Sequence, residues 1–494
     1  MRHRHSSAAL AALAFTAGVS GQVVAPPAPH DPIPSPRQLA WHEMTFYAFI
    51  HFNMNTFTDA EWGEGRESPD TFNPTALDCR TWCELFSECG LSGVIITAKH
   101  HDGFCLWPSA CTEHDVASSS WRDGRGDVIR ELADACAEFD LKLGIYISPW
   151  DRNNPLYGVD DAAYNEYFRK QLRELLGNYG EVFEVWFDGA NGDRDNPRKY
   201  QEYDWDGFVE VVRELQPGAV IFSDGGPDIR WVGNERGYAA PTQWATMDRD
   251  AFYPGYSGPR FGELNTGKEG GTHWLPAEVD VSIRPGWYYH AAEDDKVKSV
   301  EHLLKIYYES VGHSANLLLN FPVDRRGLVH ENDAKALRAM TAILEETFAE
   351  DLARARQATA SNVRGGAGDF AAANVTDGDP ATSWATDDGV TESALTIEFG
   401  EPVTFDRIVL AEHIELGQRV RAFAISAPEG DGAGDGGKWR EVFRGTTIGH
   451  RRIAAFDAIT AAAVRLTIED ARACPVIESV EVYASSPRDR YRPE

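Results

Sequence analysis

The chain has 494 residues, more than one hydrophobic core usually covers, so two or three domains are expected. Its 43% hydrophobic content and 14 tryptophans fit a well-packed globular protein. The formal net charge of −30 argues against nucleic acid as a partner, because a polyanion would be repelled, and leaves a neutral ligand open.

Residues 1–22 read as a secretory signal. Arg2 and Arg4 supply a basic start, Ala8 to Val19 an apolar stretch too short for a good membrane span, and Val19-Ser20-Gly21 a small-residue cleavage site. An exported protein, periplasmic or secreted and without a membrane span after signal removal, is therefore expected. Residues 23–37 follow as a proline-rich lead. Seven cysteines occur, and export permits disulfides: Cys105 with Cys111 would close a small loop, while the odd count leaves a thiol over. Cys79, Cys83 and Cys89 lack zinc-ribbon spacing and suit the buried face of a helix.

From residue 38 to about 350 apolar runs alternate with helical periodicity. Met44 to Phe52 is a strand and Ala76 to Gly90 a helix. Gly93 to Ala98 is followed by Asp127 to Phe139, and Lys142 to Ser148 by Ala162 to Leu176. The fourth strand lies in EVFEVWFDGAN (181–191), Phe208 to Leu215 follows as helix, and Ala219 to Ser223 is the fifth strand. The pattern then loosens, with Gln243 to Met247 and Glu278 to Ile283 as the best remaining strands. Val297 to Val311, Asn316 to Phe321 and Asp333 to Phe348 close the series as helix, strand and helix. About eight βα units fit a (β/α)8 TIM-type barrel, and no GxGxxG or P-loop supports the rival doubly wound sheet. Residues 355–486 change to short alternating segments between Gly- and Asp-rich turns, the texture of a separate all-β sandwich.

Polar groups gather at the C-terminal ends of the predicted strands, where a barrel places its active site. His51 ends the first, Lys99-His100-His101-Asp102 the second and Asp224 the fifth. Tyr146 lies near the end of the third, with Trp150-Asp151 beyond it. Trp186 and Asp188 end the fourth, where Asp188 is either a nucleophile or base, or the cap of the next turn. The histidines have no HxxxH or HxH spacing, so hydrogen bonding to a hydroxylated ligand is favoured over a metal, and no catalytic cofactor is expected. Trp62, Trp107, Trp150, Trp186, Trp231 and Trp287 fall in loops or strand ends; aromatic faces beside hydroxyl-binding groups match carbohydrate. Hydrolysis of a glycoside needs a second carboxyl group, for which Glu235, Glu64, Glu278 and Asp280 are candidates. Glu235 is preferred because its Trp- and Gly-rich loop follows the fifth strand and Trp231 nearby offers an apolar wall that would raise a carboxyl pKa.

HFNMNTF, EWGEG, KHHDGF, GIYISPWD, VWFDGAN, GNERG and RPGWYYH, in this order over residues 38–350, resemble the α-L-fucosidases of glycoside hydrolase family 29. The resemblance implies a (β/α)8-like barrel and a retaining mechanism with Asp188 as nucleophile. WVGNERG and VDVSIRPGWYY are similar to the branch that prefers α-1,3/1,4-linked fucose on branched glycans, in which Glu235 would be the acid/base. His51, His100, His101, Tyr146 and Trp186 match positions that hold fucose, and Trp62, Glu64, Arg284 and Trp287 match further pocket motifs. The implied partner is a fucosylated oligosaccharide or glycoprotein glycan. An exo-glycosidase for an L-fucose-like sugar such as L-galactose, transfer to an acceptor sugar, and a non-catalytic glycan-binding protein are the alternatives.

The C-terminal segment, through ATASN, VTDGDPATSWAT and IESVEVYA, resembles a coagulation factor 5/8 type C (discoidin-like) module. That resemblance implies sugar binding and a structural calcium ion, with Trp384 in the core and not on a sugar platform.

Overall fold

The structure, a computed structural model, describes residues 24–192, 200–429 and 438–493. The expected signal at 1–22 lies outside them. Eight parallel strands close into a barrel: β1 (Phe46–His51), β2 (Gly93–Lys99), β3 (Lys142–Ile147), β4 (Val182–Phe187), β5 (Val220–Ser223), β6 (Ile229–Trp231), β7 (Ala277–Ser282) and β8 (Asn316–Pro322). Each pairs with its neighbours in chain order, and β8 returns to β1 in the register Phe46 with Leu317 through His51 with Pro322. Strands covered on both faces must be apolar almost throughout, which the β-branched and aromatic content of these segments provides.

Helices follow β1, β2, β3, β4, β7 and β8 at Cys79–Glu88, Val128–Glu138, Asp161–Asn178, Trp205–Leu215, Val300–Ser310 and Glu331–Thr347. All six begin on side chains that accept a first-turn N–H, namely Asp78, Asp127, Asp160, Asp204, Ser299 and His330. Cys79 and Cys83 sit on the buried face of the first helix. All seven cysteines carry free thiols: the Cys105 sulfur accepts from Gln171 Nε2 at 3.3 Å and that of Cys111 lies 3.5 Å from Glu174, so these two are not bridged.

The sixth barrel strand differs from expectation. It is Ile229–Trp231, reached from β5 through only five residues and without a helix, because Asp228 folds back to accept the Ile221 N–H at 2.7 Å. Of the segment Gln243 to Met247, only Thr246–Met247 is strand, and it pairs with His273–Trp274 outside the barrel. Between β6 and β7 the chain makes a long excursion whose described helices are the 3₁₀ turn Arg249–Ala251 and the single α-turn Glu263–Thr266. The flank without helices is covered by the short N-terminal helix Pro36–His42, whose Gln38 amide donates to Asp228 O at 2.7 Å and Trp274 O at 2.8 Å, and by the C-terminal domain.

That domain is an antiparallel sandwich of β9 (Gln357–Ala360), β10 (Trp384–Ala385), β11 (Ser393–Glu412), β12 (Val420–Pro428), β13 (Trp439–Gly445), β14 (Arg452–Ala471) and β15 (Val476–Tyr483). The order is β10–β15–β11–β14–β12–β13, with β9 on β11; register shifts interrupt the pairing of the 20-residue strands β11 and β14. Trp384 is fully buried in its core, as expected. The proline-rich lead runs along this domain: Ala25 O accepts from Arg364, Ala28 O from Arg419, and His30 N donates to Leu416 O.

Candidate active site

Asp188 follows the last residue of β4. Two donors converge on its carboxyl group, the Tyr146 hydroxyl on Oδ2 and the Ala190 N–H on Oδ1, both at 2.7 Å, and His101 Nε2 lies 3.9 Å from Oδ2. The glycine after it is a packing requirement: a Cβ at Gly189 would sit 2.2 Å from Gly255 N and 2.4 Å from Asp224 Oδ2, two atoms that bond each other at 2.6 Å.

Around Asp188 a pocket of about 230 Å³ opens at the C-terminal mouth of the barrel. Nine of the predicted site residues line it: His51, Trp62, His100, His101, Tyr146, Trp186, Asp188, Glu235 and Trp287. Trp186 forms its floor, stacked on Phe222 at 4.0 Å and 12° and on Tyr146 at 5.2 Å. Trp287 leans against His51 with ring centres 5.1 Å apart, and Trp62, 58% exposed, stands edge-on to His101 and Trp150 at the rim.

Burial makes the three imidazoles neutral. It lowers His51 to about 3, His101 to about 4 and His100 well below its ordinary value. The tautomers of His51 and His100 follow from the second bonds of their partners. The Asn320 NH2 donates to Ser282 Oγ and Trp287 O, both at 2.9 Å, so its Oδ1 accepts from His51 Nδ1–H at 2.8 Å and His51 Nε2 is left as an acceptor. The Asn55 NH2 donates to Glu61 O at 3.0 Å and to His100 Nδ1 at 3.3 Å, so His100 offers Nε2–H as a donor. An acceptor and a donor side by side suit the hydroxyls of a sugar.

Glu235 stands on the turn beyond β6, between Gly233 (φ +80°) and Gly237 (φ +89°), and accepts from Trp287 Nε1–H at 3.2 Å. Glu235 is an exposed residue at the pocket mouth, but partial desolvation of its carboxyl group raises its pKa; the Trp287 bond opposes the rise, and the charges of Asp188 and Glu61 add to it. Asp280, on β7, lines the same pocket, receives Trp231 Nε1–H at 2.7 Å, and is raised well above the ordinary carboxyl range by burial and then by the Glu235 and Glu278 charges. The pocket continues into a cleft of about 660 Å³ past Tyr203 on one side and Tyr253 to Ser257 on the other. Asp224 lines that cleft, pushed up to about 6 by burial.

Three sequence candidates lie elsewhere. Glu64 is exposed and outside the pocket; Glu61 of the same EWGEG segment takes the inner position, its carboxylate accepting the Trp287 and Tyr288 N–H groups at 3.1 and 3.2 Å. Arg284 lines neither the pocket nor the cleft beside it. It is fully buried below the rim, where it holds both oxygens of Asp333 at 2.9 Å and Asp294 at 2.8 Å. Glu278 is sealed in the barrel interior, accepting from Trp186 Nε1 at 2.8 Å and from the Tyr47 hydroxyl, so it reaches no ligand. In the sandwich, Asp377 and Asp379 accept from Asp379 N, Thr382 Oγ1 and Ala381 N, and the described residues contain no group of three or more Asp, Glu, His or Cys side chains fit for a metal.

Carboxyl groups sharing one pocket at the C-terminal mouth of a barrel with indole faces and uncharged imidazoles suit chemistry at the anomeric carbon of a sugar, as in a glycoside hydrolase. The chain belongs to the α-L-fucosidase family: residues 34–347 match the family described as Alpha-L-fucosidase, and residues 357–481 match the F5/8 type C domain. It is 41% identical to Alpha-L-fucosidase 1 of Arabidopsis thaliana over 459 residues, covering 92% of this chain and 88% of the relative. Among solved structures it is similar to SpGH29, with a TM-score of 0.86, 38% identity and coverage of 93% and 100%. A Ruminococcus gnavus GH29 fucosidase in complex with fucose also gives 0.86, at 32% identity, covering 95% and 98%. The protein is a glycoside hydrolase of the α-L-fucosidase type.

Proposed function

We propose that the protein is an exported, retaining exo-α-L-fucosidase that removes terminal α-1,3/1,4-linked L-fucose from branched glycans. The observation that carries the mechanism is the sharing of one pocket by Asp188, held by Tyr146 and the Ala190 N–H, and Glu235, whose carboxyl proton is favoured by partial desolvation at the pocket mouth. The Asp188 carboxylate attacks the anomeric carbon as the glycosidic oxygen leaves with the Glu235 proton. Glu235, now a carboxylate, takes a proton from water; the water oxygen attacks the same carbon, and the bond to Asp188 breaks to release fucose. His51 and His100 bind hydroxyls as acceptor and donor, and Trp186 and Trp287 pack against the ring.

The preference for branched glycans is supported by the WVGNERG and VDVSIRPGWYY segments and by the open cleft beyond the pocket, which has room for a leaving group with more than one branch. Export rests on the sequence of residues 1–22. Incubation with a Lewis-type trisaccharide, its linear 2-linked counterpart and an aryl fucoside should release fucose fastest from the first. Proton NMR during the reaction should show the α-anomer formed first. Faster release from the linear glycan would contradict the linkage preference, and initial β-anomer would contradict retention.

A further inference from the structure

The turn that carries Glu235 belongs to the excursion between β6 and β7, on the flank of the barrel without helices. Followed outward from Glu235, the chain is pinned at nearly every step. Asn234 closes the turn on both sides, accepting from Arg236 N at 3.1 Å and donating to Tyr238 O at 2.9 Å. Ala239 N donates to Glu309 O at 2.8 Å, and Ala239 O accepts from His313 Nδ1 at 2.8 Å. Ala240 N donates to Asn265 Oδ1 at 2.6 Å.

Of the next five residues, all but Trp244 are bonded to the sandwich. Pro241 O accepts from Arg452 at 2.6 Å, the Thr242 hydroxyl meets that of Thr446 at 2.8 Å, and Gln243 N donates to Thr447 Oγ1 at 2.9 Å. The Gln418 side chain stands in for a neighbouring strand: its NH2 donates to Gln243 O at 2.9 Å and its Oε1 accepts from Ala245 N at 2.8 Å. Gln243, Gln418 and Thr447 are each only 2% exposed. Backbone groups buried this deeply need partners, and here the sandwich provides them; without it Gln243 N, Gln243 O and Ala245 N would lose the bonds that keep this path. The sandwich also backs the neighbouring anchor, since Ile453 N donates to Gly312 O beside His313 at 2.9 Å.

We propose that the C-terminal sandwich is a positioning element of the active site, with Gln418 and Thr447 holding the β6–β7 excursion so that Glu235 faces the pocket. The inference rests on Glu235 being the general acid. A side chain that protonates a leaving oxygen acts only within hydrogen-bond reach, and a displacement of about 1 Å costs on the order of 100-fold in rate. Gln418 and Thr447 touch no substrate and act through the loop.

The test uses the full-length protein and two substrates that differ in their need for an acid. A Lewis-type glycan has a poor leaving group that must be protonated, whereas α-L-fucosyl fluoride departs with little help. In Gln418→Met and Thr447→Val, kcat/KM for the glycan should fall about 10-fold or more, against less than about twofold for the fluoride. Thermal unfolding confirms folding, and Thr447→Val serves if Gln418→Met does not fold. Equal losses on both substrates, or none, would overturn the positioning role. Glu235→Ala run in parallel separates the two ideas. Selective loss on the glycan upholds the acid whatever the sandwich variants do, and equal loss on both substrates refutes the acid and the positioning role with it.

Discussion

Arg284 separates a structural ion pair from a substrate contact. Its guanidinium and the Asp333 carboxylate are both fully shielded from water, joined by two bonds of 2.9 Å, and a third of 2.8 Å ties Arg284 to the half-exposed Asp294. Replacing Arg284 by Met leaves the Asp333 charge buried with its main partner gone, a change that costs about 3–5 kcal/mol. At roughly 2–4 °C per kcal/mol for a large domain, Arg284→Met should lower the unfolding temperature by about 10 °C. Replacing Asp333 by Leu in the same chain removes the uncompensated charge and should recover most of that loss. Thermal unfolding by near-ultraviolet circular dichroism reads both variants, with KM measured well below the transition. A KM raised tenfold with unchanged unfolding temperature would show that Arg284 contacts substrate after all.

Further outcomes follow from the pocket. Trp287→Phe deletes the indole N–H that opposes the burial-driven rise of Glu235, so the alkaline limb of the kcat/KM profile should move to higher pH; an unmoved limb would contradict Glu235 as the group that must stay protonated. Glu61→Gln weakens the grip on the Trp287 and Tyr288 N–H groups and should raise KM several-fold, on the order of 1 kcal/mol, with kcat little changed; a fall in kcat alone would assign Glu61 to the chemistry. The native pKa values of His51 and His101, about 3 and 4, lie below the unfolded value of about 6.5. The unfolded chain therefore binds more protons in that interval, and the stability they confer is complete above about pH 6.5 and lost as pH falls towards 4. The unfolding temperature should drop over that range, and His101→Asn should flatten the slope.

The strands that carry the nucleophile side of the pocket were legible because β1 to β4 are buried runs ending abruptly in His51, Lys99-His100, Tyr146 and Asp188. β6 escaped because it has three residues and contains an arginine. Arg230 is fully buried, yet its guanidinium is spent on Leu264 O, Leu275 O, Trp244 O and the Gln243 side chain, a set of partners contributed by a distant loop that no local pattern announces. Glu61 and Glu64 occupy one short motif, and the turn that sends Glu61 inward is fixed by its bonds to the Trp287 and Tyr288 N–H groups, more than 200 residues away. The RPGWYYH motif pairs Arg284 with Trp287 as pocket residues, but the Arg284 side chain bonds Asp333 on the closing helix. Nor did the alternating strands of residues 355–486 reveal that Gln418 and Thr447 support the loop of Glu235.

The most direct test of Asp188 as nucleophile is covalent trapping. Incubation with 2-deoxy-2-fluoro-L-fucosyl fluoride slows hydrolysis of a glycosyl-enzyme intermediate, and mass spectrometry of the digested protein locates the sugar. A single fluorofucosyl adduct on Asp188 is the predicted result. An adduct on Glu235, Asp224 or Asp280, or turnover of the probe without any adduct, would contradict it.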